Sequence, residues 1–304
     1  MGRGDGPKVM GAFTAIGVPI DSVGRSGGTE FAPKTLRSLG LIEALGGVDA
    51  GDLDVSIRGD DRDPSTGIVA SEDVLSTSGT IRGAVVALLE DAAKPFLIGG
   101  CCTELVGALA GARDVLGRVG LAYLDGHLDL YDGETSPTGE AADMPVSVSL
   151  GFGPDAWRDA VGGASVRGDD VAILGYRDLE ESLADGMRHP DSVPGLAHRS
   201  NEVIREDGAV ATGQAIADAL RRSAGRFWLH LDVDVLDEDV FPATDYLMPN
   251  GLTWEELTEL MRPLASHPSL IGASLGCYNP EKDPDERCGR RLVELWRDAT
   301  HAIG

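Results

Sequence analysis

The segment LHLDVDVLD, residues 229–237, places acidic residues inside a run that is otherwise typical of a buried β-strand. Side chains alternate between the two faces of a strand, so Asp232 and Asp234 are expected to project from the same face. Two buried carboxylates this close repel each other, and burying them without a partner costs free energy. A cation is therefore expected beside them, and the chain must adopt a fold that can hold it.

Short apolar segments alternate with longer amphipathic segments, a pattern that predicts βαβ units and a mostly parallel sheet. The expected strands are residues 10–18, 95–99, 119–125, 170–175, 226–234 and 270–277. The expected helices are residues 32–45, 78–93, 103–116, 209–224, 253–266 and 289–301. The stretches 46–67 and 131–143 are expected to be loops, and Thr253-Trp-Glu-Glu256 has the form of a helix capping box. No repeat or linker interrupts this pattern, so residues 1–304 are predicted to form a single α/β domain.

Clusters of polar residues fall where five of these strands end. They are GGCCTE after strand 95–99, DGHLD at the end of strand 119–125, GYRDLE after strand 170–175, DVDVLD closing strand 226–234 and GCYNP after strand 270–277. In open α/β sheets, ligands bind outside the carboxyl ends of the strands. The five clusters are therefore expected to form one site at that edge of the sheet.

The DGHLD cluster places a carboxylate, an imidazole and a second carboxylate at alternate positions, Asp125, His127 and Asp129. If the backbone stays extended, all three side chains project in one direction and can meet Asp232 and Asp234. Carboxylates converge in this way only when divalent cations neutralise them. Oxygen-rich sites with one or two nitrogens suit Mn²⁺ or Mg²⁺, and Zn²⁺ or Fe²⁺ are also acceptable. These ligands exceed the needs of a single ion, so two ions are expected, and such a pair can activate water. Either motif alone could instead be a solvated loop or a hydrogen-bonded turn.

The composition disfavours several classes of function. With a net charge of −24, the chain is expected to repel nucleic acid, although cationic substrates or a simple solubility adaptation fit this charge. The sequence has no apolar run of about 18 residues that would predict a membrane span, and its start, MGRGDGPKVMGAF, does not resemble a secretory signal. Four cysteines, with Cys101 and Cys102 adjacent, make no disulfide framework in 304 residues. A reduced, cytoplasmic protein is expected.

The motifs resemble those of the ureohydrolase superfamily, which contains arginases, agmatinases and formimidoylglutamases. The stretch IGVPIDSVGRSGG…APKTLRSLGL, residues 16–41, is similar to the start of arginases, and the resemblance continues to about residue 283. DGHLD resembles the family's Asp-Ala-His-x-Asp motif, and DVDVLD resembles its Asp-x-Asp-x-x-Asp motif. The resemblance implies a three-layer α/β/α fold, a dinuclear manganese centre that hydrolyses a guanidino C–N bond, and a homo-oligomer, commonly a trimer or hexamer.

The resemblance also implies which residues bind the ions. The expected ligands are Cys102, Asp125, Asp129 and Asp232 for the first ion and Asp125, His127, Asp232 and Asp234 for the second. Asp125 and Asp232 would bridge the ions and Asp129 would hold the attacking water, so these three are the expected catalytic residues. Cys102 stands where the family's Gly-Gly-Asp-His-Ser motif has its histidine. A thiolate can bind manganese, zinc or iron; alternatively, Cys102 is a small buried residue and the first ion is weakly bound or absent.

Two further positions depart from the family pattern. Ala142 replaces the histidine that is thought to deliver a proton to the leaving amine, which leaves the donor open between Glu140, Asp143 and water. Cys277 replaces the glutamate that holds the guanidinium cation. The resemblance therefore implies a reacting group that is less cationic than guanidinium.

The substrate contacts are also predicted from the resemblance. The expected residues are Tyr131, Ser136, Thr138, Glu180, Tyr246 and Cys277. The first three stand at the family's Asn, Thr and Ser positions for the substrate α-carboxylate, and Glu180 stands at the acidic position that meets an α-amino group. Because hydroxyl groups persist at two of these positions, the amino-acid end of a substrate could still be bound.

An N-hydroxyguanidine would suit the altered site, because its hydroxyl group withdraws electrons and lowers the basicity of the guanidine. Nω-hydroxy-L-arginine, hydrolysed to L-ornithine and hydroxyurea, is the expected substrate, by similarity to ureohydrolase-like enzymes of antibiotic biosynthesis. Three alternatives stay open: an arginase- or agmatinase-type hydrolase of another guanidino substrate, a catalytically impaired binding protein, and a redox-sensitive pair or thiolate-rich zinc site formed by Cys102 and Cys277. His230 is expected near the site, either supporting it or packing in the core.

Overall fold

The structure is a computed structural model that describes residues 11–22 and 27–300. Met10 of the first expected strand, residues 23–26 of the arginase-like N-terminal stretch and His301 of the last expected helix lie outside the described residues. The strands β1 to β8 are, in chain order, Phe13–Val18, Val48–Asp52, Lys94–Gly99, Gly120–Leu124, Val171–Tyr176, Ala197–Ser200, Phe227–Asp232 and Leu270–Gly276. They form one sheet in the order β2-β1-β3-β8-β7-β4-β5-β6, and every pairing is parallel.

The helices α1 to α11 cover both faces of this sheet. In chain order they are Ala32–Ser38, Leu41–Ala44, Ser71–Glu90, Glu104–Leu116, Pro145–Leu150, Asp155–Val161, Leu179–Ala184, Asn201–Asp207, Ala209–Ser223, Trp254–Ala265 and Arg287–Thr300. One apolar core includes Leu36 of α1, Leu260 of α10 and Trp296 of α11, and the other includes Ile81 of α3 and Leu109 of α4. The chain therefore has the expected three-layer α/β/α architecture with a parallel central sheet.

The central strands are buried along their whole length. Every residue of β4, β5, β7 and β8 is buried, as is typical of strands covered by helices on both faces. Such strands have nearly continuous apolar sequences, which explains why the sequence predicts them. The edge strand β2, VDAGD, lies inside the expected loop 46–67 and is exposed throughout. Together with the other edge strand, β6, it was not predicted, because neither has a run of apolar residues.

Several helix boundaries also differ from the expectation. The expected helix 32–45 is two helices, because Gly40 has a positive φ of 91° between α1 and α2. α3 begins at Ser71, earlier than the expected residue 78, and the short helices α5 to α8 were not predicted. The capping box is confirmed: Glu256 N–H donates to Thr253 Oγ1 at 3.2 Å, and Thr253 N–H donates to Glu256 Oε2 at 2.8 Å.

The sheet order explains how the polar clusters meet. The five clusters follow β3, β4, β5, β7 and β8, and these strands are five consecutive neighbours in the order β3-β8-β7-β4-β5. Because all strands are parallel, their carboxyl ends lie at one edge of the sheet. Within the described residues, no helix has the length and apolar character required to cross a lipid bilayer.

Candidate metal centre

Among the described residues, seven side chains at this edge form a cluster of potential metal ligands. Their ligand atoms make three overlapping groups, each with atoms within 4.8 Å of one another: Cys102, Asp232 and Cys277; Cys102, Asp125 and Asp129; and Asp125, His127 and Asp234. The structure thus brings together all six residues that the sequence analysis expects as ligands. Cys277, expected as a substrate contact, joins them.

The backbone reaches this arrangement by a different route from the one expected. β4 ends at Leu124, and Asp129 has a positive φ of 51°, so residues 125–129 are not an extended strand. β7 ends at Asp232, and Asp234 lies in a 3₁₀ turn in which its N–H donates to Asp232 Oδ1 at 2.9 Å. The side chains therefore converge through turns that follow the strands. The expectation that these side chains converge by alternating along an extended strand is wrong.

We call His127 and Asp234, together with the shared Asp125, the His127 half of the cluster. His127 Nδ1 lies 3.1 Å from Asp234 Oδ2 and 3.3 Å from Asp125 Oδ1. Gly126 N–H donates to Asp234 Oδ1 at 3.0 Å, and Arg177 Nη2 donates to the Asp234 carbonyl oxygen at 2.7 Å. Burial opposes ionisation of Asp234, but His127 and the Gly126 N–H hold the pKa of its carboxyl below the ordinary value. Burial also opposes charge on His127, yet the facing carboxylates raise its pKa well above the ordinary value.

We call Cys102, Asp129 and Asp232, with Cys277 beside them, the Cys102 half. Cys102 Sγ donates to Asp232 Oδ2 at 2.6 Å and lies 3.6 Å from Cys277 Sγ. Burial first, and neighbouring acidic groups second, raise the pKa of Asp129 and of Asp232 well above the ordinary value. Burial likewise raises the pKa of the Cys102 thiol. This half therefore holds its acidic groups in a place where their ionisation requires a cation.

His230 is in contact with the Cys102 half. Its Nε2 lies 3.2 Å from Cys102 Sγ, and its Nδ1 lies 2.7 Å from Ser274 Oγ. Burial lowers the pKa of His230 to about 3, so the imidazole is neutral. Because the thiol proton of Cys102 points to Asp232, the sulfur accepts a hydrogen bond from the Nε2–H of His230. Of the two interpretations left open by the sequence, the structure shows His230 beside the site.

Two buried residues that the sequence analysis did not select also border the cluster. The Tyr123 hydroxyl donates to Asp129 Oδ2, and its ring stacks on His230 with centroids 5.0 Å apart. Glu104 is fully buried, and neither of its carboxyl oxygens has a hydrogen-bond partner within the described residues. Burial, with the Asp232 charge nearby, raises the pKa of Glu104 well above its ordinary value. The sequence offered a reason to select each residue: Glu104 belongs to the polar cluster GGCCTE, and Tyr123 lies in the expected strand 119–125.

The cluster lines a cavity of about 530 Å³. The expected substrate contacts that line it are Tyr131, Thr138, Tyr246 and Cys277. Ser136 is buried behind this surface, and the exposed Glu180 does not line the cavity. The next residue of α7, Glu181, lines it instead. The Tyr246 hydroxyl donates to Glu140 Oε2, so its contact in the structure is an acidic side chain.

The loop that was expected to bind a substrate carboxylate binds a carboxylate of the protein. Ser136 Oγ and Thr138 Oγ1 both donate to Asp143 Oδ2, at 2.7 and 2.6 Å. Asp143 lines the cavity beside Ala142, the position at which the resemblance implies a lost histidine. Burial raises the pKa of Asp143, while the two hydroxyl groups and His127 act in the opposite direction. The sequence did not reveal this contact, although both hydroxyl residues were selected.

Comparisons with known proteins agree with this geometry. The model of the family described as "Arginase family" matches residues 12–301. The arginase of Bacillus caldovelox is 29% identical over 299 residues, which cover 94% of this chain and 97% of that protein. The solved arginase of Bacillus cereus has a TM-score of 0.85 and 26% identity, over 96% of this chain and 99% of that one. The solved B. caldovelox arginase has a TM-score of 0.88 and 24% identity, over 97% and 100% of the two chains.

Proposed function

Because the chain belongs to the arginase family, whose members are hydrolases of amidine C–N bonds, we propose that it hydrolyses a C–N bond of a guanidino or N-hydroxyguanidino compound. The observation that carries the proposal is the arrangement of two ligand groups around one shared carboxylate. Asp125 forms one group with Cys102 and Asp129 and a second group with His127 and Asp234. Two divalent ions would fit such a pair of adjacent groups.

The donor set suits two manganese ions. Carboxylate oxygens predominate, with one imidazole from His127 and one sulfur from Cys102, and such a set favours Mn²⁺ while also accepting Zn²⁺ or Fe²⁺. Metal ions would also neutralise Asp129 and Asp232, whose ionisation the buried surroundings oppose. The Cys102 thiol would bind as its anion, and the N–H of His230 would support that sulfur.

Three of the chain's own carboxylates take part in the proposed mechanism. Two bound ions would supply activated water and polarise the group under attack. Asp125 and Asp232 would be among the ligands that hold the ions and balance their charge. Asp129 would orient the attacking water, because the Tyr123 hydroxyl donates to its Oδ2 and fixes the carboxylate. The electron pair of the broken C–N bond stays on the leaving nitrogen, which takes up a proton and departs as an amine.

The reacting group is proposed to be an N-hydroxyguanidine. Cys277, 3.6 Å from Cys102, offers a thiol where a carboxylate would pair with a guanidinium cation. A neutral thiol gives no such ion pair, so a less basic guanidine loses less on entering the site. Nω-hydroxy-L-arginine, which would give L-ornithine and hydroxyurea, is the amino-acid form of such a compound and the first one to test.

The test combines metal content with substrate comparison. Protein produced with manganese and purified without chelator is expected to contain about two ions per chain. Its kcat/KM for Nω-hydroxy-L-arginine or N-hydroxyagmatine is expected to exceed that for L-arginine or agmatine by about tenfold or more. The matched variant Cys277→Glu should shift this preference towards the unmodified guanidines. Absence of bound metal, or equal turnover of the hydroxylated and unmodified compounds, would contradict the proposal.

A further inference from the structure

The two hydroxyl groups of the loop at residues 136–143 have no proton to offer a ligand. Gly139 N–H donates to Ser136 Oγ at 2.8 Å, and Glu140 N–H donates to Thr138 Oγ1 at 3.0 Å, so each hydroxyl oxygen is already an acceptor. Each hydroxyl has a single proton, and both protons point to Asp143 Oδ2. Burial raises the pKa of Asp143, and the two donors on its Oδ2 act against burial and favour the ionised carboxylate. A substrate carboxylate at this place would find neither hydroxyl proton available and would face the carboxyl group of Asp143.

Among the residues that the structure describes, the other charged side chains of the cavity carry the same sign as Asp143. Outside the metal cluster, the charged residues that line it are Asp143, Asp178, Glu181, Asp185 and Asp245. No Lys or Arg lines the cavity among residues 11–22 and 27–300. Lys282 lies close by, but its Nζ is 2.7 Å from Asp245 Oδ1 and already has a partner. A negative substrate tail would therefore be repelled by several groups, and a positive tail would be attracted.

Asp178 provides an independent observation. Its side chain lines the cavity and is only 6% exposed. Oδ2 accepts hydrogen bonds from Ser182 Oγ at 2.7 Å and from Leu128 N–H at 3.3 Å. Oδ1 is buried and has no hydrogen-bond partner within the part of the chain that the structure describes. Buried carboxylate oxygens normally have a donor, and an ammonium group on a bound substrate would supply one.

From these contacts we infer that the cavity selects a substrate whose tail carries an amine and no carboxylate, and that Asp143 is the residue that rejects the carboxylate. The inference rests on the proposed function for the reacting end of the substrate and adds the chemistry of the other end. It makes N-hydroxyagmatine a better substrate than Nω-hydroxy-L-arginine, although the reacting groups of the two are identical. Asp143 acts as a specificity-determining residue.

The first experiment compares these two substrates with wild-type, manganese-loaded protein. N-hydroxyagmatine is expected to have a kcat/KM at least about tenfold higher, because a like-charge contact costs binding free energy. The amine products provide a readout that does not need turnover. Putrescine is expected to bind more tightly than L-ornithine in calorimetry. Equal values for the two substrates and the two amines, or preference for the carboxylate-bearing compounds, would overturn the inference.

Two variants locate the effect at residue 143. Asp143→Asn removes the charge and keeps an acceptor for the hydroxyl groups, while Asp143→Ala also releases their protons. Both should raise the kcat/KM for Nω-hydroxy-L-arginine relative to N-hydroxyagmatine, and Asp143→Ala should raise it more. Asp132→Asn is the control: Asp132 lies just before this loop, where its Oδ1 accepts the Glu134 N–H at 2.9 Å, and it does not line the cavity. Its substrate ratio should equal that of the wild type.

The outcomes separate this inference from the proposed function. If the wild type hydrolyses both hydroxyguanidines but neither Asp143 variant changes their ratio, the role of Asp143 is wrong and the proposed function stands. If the metal-loaded wild type hydrolyses no guanidino compound at all, the proposed function is wrong. The affinities of the wild-type protein for putrescine and L-ornithine then still decide whether the cavity rejects a carboxylate. This measurement needs no variant.

Discussion

The two halves of the metal cluster differ in how much of their charge the protein balances by itself. In the His127 half, His127 lies between two carboxylates, and Asp234 keeps a lowered pKa in spite of its burial. In the Cys102 half, Asp129 and Asp232 have raised pKa values, and burial raises the pKa of the Cys102 thiol as well. Cys102 and Cys277, the two positions where the sequence is expected to depart from the metal-ligand and guanidinium-binding residues of the family, both lie in this second half. One half is thus stabilised before metal binding, and the other depends on metal for the ionisation of its ligands.

The largest effect is expected from the residue that the two halves share. Asp125→Asn removes one carboxylate charge from both ligand groups, so both ions should be lost or greatly weakened. Activity should fall by about a thousandfold or more, equivalent to about 4 kcal/mol of transition-state stabilisation. Metal analysis after gel filtration, together with kcat/KM, measures both quantities. The exposed Asp159→Asn is the control, and an Asp125→Asn protein that retains two ions would contradict the comparison.

A pair of alanine variants separates the halves. Cys102→Ala and His127→Ala should each lose one ion per chain, but they should differ when chelator has removed all metal. Without metal, His127→Ala leaves buried carboxylates unpaired and should lower the free energy of unfolding by about 3 kcal/mol. Cys102→Ala removes no balancing charge but takes a hydrogen-bond partner from Asp232 Oδ2 and from His230 Nε2, so the free energy of unfolding should fall by a smaller amount, about 1 kcal/mol. Denaturant unfolding in EDTA measures the difference, and equal losses would show that the halves are not distinct.

The position of the site could be predicted from sequence because it follows from topology. Central parallel strands have apolar sequences that are easy to find, and Asp125 and Asp232 follow two of them. Their carboxyl ends then meet at one edge whatever the details of the turns. For this reason the expected convergence was confirmed, although the expected alternation along an extended strand was wrong at Asp129 and at Asp234.

The contacts made by loops could not be predicted in the same way. Ser136 and Thr138 were chosen for their hydroxyl groups, but only the folded loop shows that both donate to Asp143. The same holds for Glu104, whose burial without a partner depends on how α4 packs beneath the sheet. Hydrogen-bond partners distant in space leave no periodic pattern in the sequence, and the edge strand β2 was missed because it buries no apolar face.

A smaller effect is expected from the residue that supports Cys102. His230→Phe keeps an aromatic ring for stacking on Tyr123 and removes the N–H that faces the Cys102 sulfur. Affinity for the ion of the Cys102 half should fall by about ten- to a hundredfold, while the other ion stays bound. Manganese titration by calorimetry measures the two affinities.

His267→Phe is the control for this variant, because His267 also packs against an aromatic ring, Phe227, and is not among the residues of the cluster. Unchanged affinities in His230→Phe would mean that His230 merely fills the core. Loss of both ions together would mean that the two halves bind metal as one unit.

The smallest effect is a difference in how stability depends on pH with and without metal. Burial raises the pKa of Asp129 and of Asp232, the carboxylates of the Cys102 half, well above 3.8, and it raises the pKa of the shared Asp125 to about 7. Above pH 3.8 the folded, metal-free protein therefore holds more protons than the unfolded chain. Its stability must therefore fall as the pH rises through this window, by at most about 1.4 kcal/mol per proton and pH unit. The two other groups of the His127 half do not oppose this trend. Asp234 loses its contribution only below pH 3.8, and the raised pKa of His127 keeps its contribution complete up to pH 6.5 and lets it decline above that value, in the same direction as the carboxylates. Bound metal takes the place of these protons, so the increase in Tm on adding Mn²⁺ should be larger at pH 7.5 than at pH 5.5. Asp232→Asn should make the stability of the metal-free protein depend less steeply on pH. A gain that stays constant over this range would show that the buried carboxylates are already ionised without metal, and the distinction between the two halves would then fail.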